Sequence, residues 1–167
     1  RAEVLSEESE KGALAEAMRR SVFWMIALLF ALIALNHWVL ITFALPIFTA
    51  QGASEAMAVL AASVVGPAQV AGRLWLMRYE ARIGTGPASI GSLAIMGVGT
   101  LCLWLAGVAP LLIFAFALLQ GATMGIITIL RPVLIGDVLG RRGYGAIAGA
   151  VQMPGILAGA AAPIVGA

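Results

Sequence analysis

Five apolar runs with short connections occupy almost everything after residue 21, and that single pattern restricts the fold more than any other feature of the chain. A hydrocarbon layer about 30 Å thick takes roughly 20 helical residues to cross. Residues 22–45, 57–76, 88–105, 111–136 and 145–167 meet that length. The expected fold class is therefore all-α: a polytopic helical membrane protein with five transmembrane helices in residues 21–167, preceded by a polar, helix-prone segment over residues 1–20 that Ser6 or Ser9 can cap. Composition closes off the soluble alternative. Of the 167 residues 62% are hydrophobic and 11% charged, against roughly 45–50% and about 25% in soluble domains. One compact core of this size does not bury so much apolar surface.

The cations test this reading independently, because cytoplasmic connections collect Lys and Arg. Arg1, Lys11, Arg19 and Arg20 precede the first run, Arg73, Arg78 and Arg82 surround the second connection, and Arg131, Arg141 and Arg142 surround the fourth. The first and third connections hold none. The residue 1–20 segment is thus expected on the cytoplasmic side, as a tail or an inter-bundle loop, with Ala167 on the opposite side. The net charge of +2 reads as a topology signal and not as a nucleic-acid footprint. A start without methionine and an end inside an apolar run lead us to expect a further helix beyond Ala167.

Chemistry is sparse. Cys102 is the only cysteine and His37 the only histidine, so neither a disulfide framework, a metal site nor a nucleophile with its base is expected, and no glycine-lysine phosphate cradle occurs. The chain is read as a non-enzyme without cofactor. Small residues supply what remains, since close packing drives helix association in lipid. Gly145, Gly149, Gln152, Ile156, Gly159, Pro163 and Gly166 share one face of the fifth run, and Gly121, Gly125, Thr128 and Pro132 repeat the device in the fourth. Both faces are expected to pack against neighbouring helices, with sliding or rocking during a conformational cycle as the alternative role.

Pro132, Asp137, Gly140, Arg141, Arg142, Tyr144, Gly145 and Gly149 resemble the end of the tenth helix, the inner loop and the start of the eleventh in bacterial members of the major facilitator superfamily, including monocarboxylate-carrier-like and drug-efflux-like branches. Gly72, Arg73, Arg78, Glu80, Arg82 and Gly84 resemble a degraded form of that superfamily's glycine-acid-base loop motif. The motif's acid is replaced by Leu76 and its next basic position by Met77, which leaves Glu80 and Arg82 as a displaced pair. The resemblance covers the whole chain as the central inner loop and helices seven to eleven, most of one six-helix bundle. It implies a permease of a bacterial inner membrane, working by alternating access with an N-terminal six-helix bundle of the same protein. Gly72, Arg73, Arg78, Glu80, Arg82, Asp137, Arg141 and Arg142 would form its cytoplasmic gate or loop motifs.

Polar residues at membrane depth are the substrate-binding or cavity-lining candidates. Asn36 and His37 fall in the first run, which the resemblance matches to a cavity-lining helix seven; Gln120, Thr123, Thr128 and Arg131 fall in the fourth, matched to helix ten. Gln120, Met124, Ile127 and Arg131 share a helical stripe. Gln69 and Gln152 lie at similar depth in the second and fifth runs. Each amide has an interhelical hydrogen bond as its alternative role. Arg131 suits a small organic anion through a bidentate contact, with snorkelling or an anchor to Asp137 as alternatives. No Asp or Glu occupies the middle of a run, so His37 is the candidate proton carrier if a coupling proton is used here. A small organic anion or a drug-like compound is the expected substrate, and a non-transporting membrane scaffold or assembly subunit is the competing function.

Overall fold

Residues 12–165 are described by a computed structural model, and no strand occurs among them. Helix α1 comprises residues 12–19. Five long helices follow: α2 (Ser21–Ala50), α3 (Glu55–Ile83), α4 (Thr85–Leu105), α5 (Leu112–Leu139) and α6 (Tyr144–Val165). Each is long and apolar enough to cross a membrane. The chain is an all-α polytopic helical membrane protein. The expected caps Ser6 and Ser9, with Arg1 and Lys11, lie outside the described residues.

Helices α2, α3 and α4 are longer than the apolar runs inside them, and the reason differs at each end. α2 continues through Pro46 to Ala50, with Phe43 pushed out of helical geometry at φ −111° and ψ 16°. Proline has no N–H to offer the Thr42 carbonyl, and its ring crowds that same group, so the backbone opens three residues upstream. α3 carries its charged end, Arg78 to Arg82, as helix, where hydropathy alone placed a connection. Only Gly84 then separates α3 from α4. Its φ of 77° and ψ of 159° suit a residue without Cβ, and its N–H closes α3 on the Glu80 carbonyl at 2.9 Å. At the other end of α3, Ser54 accepts from Met57 N at 3.3 Å as an N-cap.

The chain divides into two packed units, and α2 and α5 each contribute to both. One joins the residues up to Thr42 with those from Pro132 onward. Within it α6 packs through Ile147, Ala148, Val151, Gly155 and Ala162, all buried. A Cβ on Gly155 would touch Ala34 Cβ at 3.4 Å, and one on Gly159 would meet the Trp38 indole at 2.7 Å. The expected α6 face therefore meets a neighbour at Gly159 but not along the rest of its length. Gly145 and Gly149 have nothing within 4 Å of a Cβ, Gln152, Ile156 and Pro163 are exposed, and Gly166 lies outside the described residues. Helices in lipid gain from dispersion contact, and the Ile147–Val151 side supplies more of it than a bare glycine face.

The second unit is Phe43–Arg131. Its core gathers Leu76, Ala88, Ile126 and Leu130, with Ile83 and Ile129 against them. Phe48 meets Phe116 edge to face, with ring centroids 5.9 Å apart. α3 and α5 approach through glycine: a Cβ on Gly72 would run into the Ala122 backbone, one on Gly125 into the Gln69 backbone, and one on Gly121 would lie 2.5 Å from the Val65 carbonyl oxygen. Gly99 brings α4 against Leu119 of α5 in the same way, at 3.4 Å.

Candidate functional site

α5 is the most enclosed helix: 56% of its most apolar window is buried, against 22% in each of the other four. The residues expected to line a cavity divide along it. Gln120 is 3% exposed and Thr123 1%, so both are interior, together with Met124 and Ile127 of the same region. Thr128 is exposed, and its hydroxyl turns back to donate to the Gly125 carbonyl at 2.7 Å. That bond satisfies the hydroxyl locally, an ordinary outcome for threonine in lipid. Thr123 differs, because its buried hydroxyl makes no hydrogen bond among the described residues. Arg131 is half-buried, one residue before Pro132.

Asn36 and His37 belong to the unit formed by the chain up to Thr42 and from Pro132 onward, whereas Gln120, Thr123, Thr128 and Arg131 belong to the other. Both residues are half-buried. The His37 ring lies 6.1 Å from that of Trp38, tilted by 59°. Gln69 contributes its backbone to the Gly125 contact, and exposed Gln152 donates its amide to the Ala148 carbonyl one turn back, at 3.2 Å.

The loop-motif residues separate into packing and charge. Gly72 is buried against Ala122 and acts as a packing residue of the α3–α5 seam. Arg73, Arg78 and Arg82 are exposed on the last turns of α3, and Glu80 is half-buried. Arg78 stands 5.8 Å from the Tyr79 ring centroid, and Tyr79 lies 5.4 Å from Trp75. An Arg-aromatic end of this kind suits the border of a bilayer, where amphipathic rings and snorkelling cations settle. At the end of α5, Arg141 Nη2 lies 3.7 Å from Asp137 Oδ1. Gly140 and Gly143, with φ of 98° and 64°, frame Arg141 and Arg142 in the turn.

Compared with family models, with curated proteins and with solved structures, the chain matches none. The site therefore stands on its own residues. Among the described residues no group of three or more His, Cys, Asp or Glu converges as metal ligands would. Two features of the structure have no clear signal in the sequence. Ser92 is buried on α4 and donates to the Ala88 carbonyl at 2.8 Å, and nothing in its apolar surroundings signals which side of the helix is interior. Tyr144 reaches Pro132 with its hydroxyl, a contact twelve residues apart in sequence that needs the turn geometry to be seen.

Proposed function

We propose that this chain belongs to a secondary transporter and supplies five spanning helices of a bundle like the C-terminal half of a major-facilitator-type permease. The observation that carries the reading is the polar interior of α5: Gln120 and Thr123 are buried in the helix that is itself most enclosed. Polar side chains at membrane depth are costly, and a solute pathway is a standard reason to keep them. The alternation of basic and cation-free connections along five spans supports a cytoplasmic side bearing Arg78, Arg82, Arg141 and Arg142.

In this reading Arg131, at the inner end of the polar stretch, receives the carboxylate of a small organic anion, and His37 carries a proton where coupling is used. An N-terminal bundle of the same protein would complete the pathway, and a bacterial inner membrane is its setting. The test is a substrate screen on the full-length protein in proteoliposomes, with organic anions and amphipathic drugs in separate arms. Arg131→Gln should cut anion transport by about tenfold or more, the worth of one charge-assisted bond. His37→Ala should flatten the pH dependence of uptake. Absence of transport in every arm, together with a start codon close upstream of Arg1, would replace this reading with the scaffold function.

A further inference from the structure

A cleft of about 440 Å³ opens beside the α5–α6 turn, lined by Pro132, Val133, Gly136, Asp137, Arg141 and Tyr144. Its size falls within the range of small-ligand sites, about 300–1,000 Å³. All of these residues lie in one packed unit. α5 ends at Leu139 and α6 begins at Tyr144, so the cleft sits where two spanning helices meet one face of the bilayer. Gly136 forms part of its wall: a Cβ there would stand 3.8 Å from Arg141 Cγ and 3.9 Å from the Tyr144 ring.

The cleft's polar lining is of two signs. Asp137 and Arg141 approach to 3.7 Å, with side chains 49% and 86% exposed. A charge-assisted hydrogen bond between such groups is normally about 2.7–2.9 Å long, so this pair leaves both partners with bonding capacity unused. Exposed pairs of this kind contribute little stability and give way readily. Arg142, the next residue, is exposed and adds a second positive charge to the same turn. Tyr144 donates to the Pro132 carbonyl at 3.4 Å, a long bond that a stronger acceptor would displace. Pro132 and Val133 give the remaining wall an apolar surface.

We propose that this cleft binds the headgroup of a phospholipid with a primary ammonium, of the phosphatidylethanolamine type. The phosphate accepts from Arg141, with the Tyr144 hydroxyl beside it, and the ammonium donates to Asp137. The apolar wall takes the glycerol end of the lipid. Phosphatidylglycerol offers no cation to Asp137, and phosphatidylcholine has no N–H to donate. The proposal needs only the spanning helices and the turn between them, so it stands or falls separately from transport.

The test uses the purified full-length protein in mixed micelles containing equal amounts of phosphatidylethanolamine, phosphatidylcholine and phosphatidylglycerol with identical acyl chains. Retained lipid is identified and counted by native mass spectrometry. Phosphatidylethanolamine should be retained about tenfold over phosphatidylcholine, the factor that one charge-assisted hydrogen bond provides. Asp137→Asn should bring that ratio close to one. Arg141→Gln should lower retention of all three lipids, and Gly136→Leu, which fills the cleft, should do the same. Water-soluble phosphoethanolamine at matched concentration should leave the lipid in place. Equal retention of the ethanolamine and choline lipids by the unaltered protein overturns the proposal without any variant. An Asp137→Asn protein that keeps the preference overturns it as well, and displacement by soluble phosphoethanolamine reassigns the cleft to a free phosphoester.

Discussion

Gly125 carries a hydrogen where any other residue would drive a carbon into the Gln69 backbone. Gly72 stands in the same relation to Ala122, and Gly121 to Val65. Replacing a helical glycine by alanine normally gains about 0.5–1 kcal/mol, because less backbone entropy is lost on folding. At Gly125 the neighbour is main chain and cannot turn aside, so overpacking of about 1–3 kcal/mol outweighs that gain. Gly125→Ala is therefore expected to lower the Tm of the detergent-solubilised protein. Gly149→Ala, with open space around its Cβ, should leave the Tm unchanged or raise it slightly. Equal behaviour of the two variants in a thermal-unfolding assay would mean that the α3–α5 contact is not this close. The glycines were legible in the sequence, but their partners were not. Gly121 and Gly125 pack as a small-residue face should, whereas Gly145 and Gly149 on α6 have the same local pattern and face no neighbour. Periodicity says which residues share a face and is silent on which face meets protein.

Between α3 and α4 the chain reverses through Gly84 alone. Its φ of 77° and ψ of 159° lie in a region open essentially to glycine, where a side chain adds about 1–3 kcal/mol of strain. Gly84→Ala should therefore destabilise the α3–α4 hairpin, read as a lower Tm and as faster tryptic cleavage after Arg82. Unchanged cleavage and Tm would show that the turn tolerates another backbone geometry. Hydropathy located all five helices because lipid-crossing segments must be apolar throughout, yet it ended α3 too early. The residues from Met77 to Ile83 are polar enough to read as a connection, but hydrogen bonding in a helix does not stop where the hydrocarbon does. At the end of α2 the helix outlasts its apolar run in the same way: Pro46 is carried inside it by distorting Phe43. Candidate site residues were legible by type, as polar groups among apolar ones. Their separation into buried Gln120 and Thr123 and exposed Thr128 was not, since an apolar neighbour in sequence serves lipid and protein contact equally.

Taken across the whole chain, the proposed orientation predicts a labelling pattern. In a Cys102→Ser background, single cysteines at Ser54 and Ala109 report the two cation-free connections, and cysteines at Thr85 and Arg142 report the two basic ones. The first pair should react with a membrane-impermeant maleimide in intact cells, and the second only after permeabilisation. Reaction of Ser54→Cys and Thr85→Cys from the same side would contradict a spanning α3. The backbone contact along Gly72, Gly121 and Gly125 bears on any passage through the protein as well. Where two main chains touch, neither an acyl tail nor a permeant can slip through the joint. In the proposed transporter a permeant passing α5 would therefore follow the rest of its circumference, with the α3 joint as a closed wall.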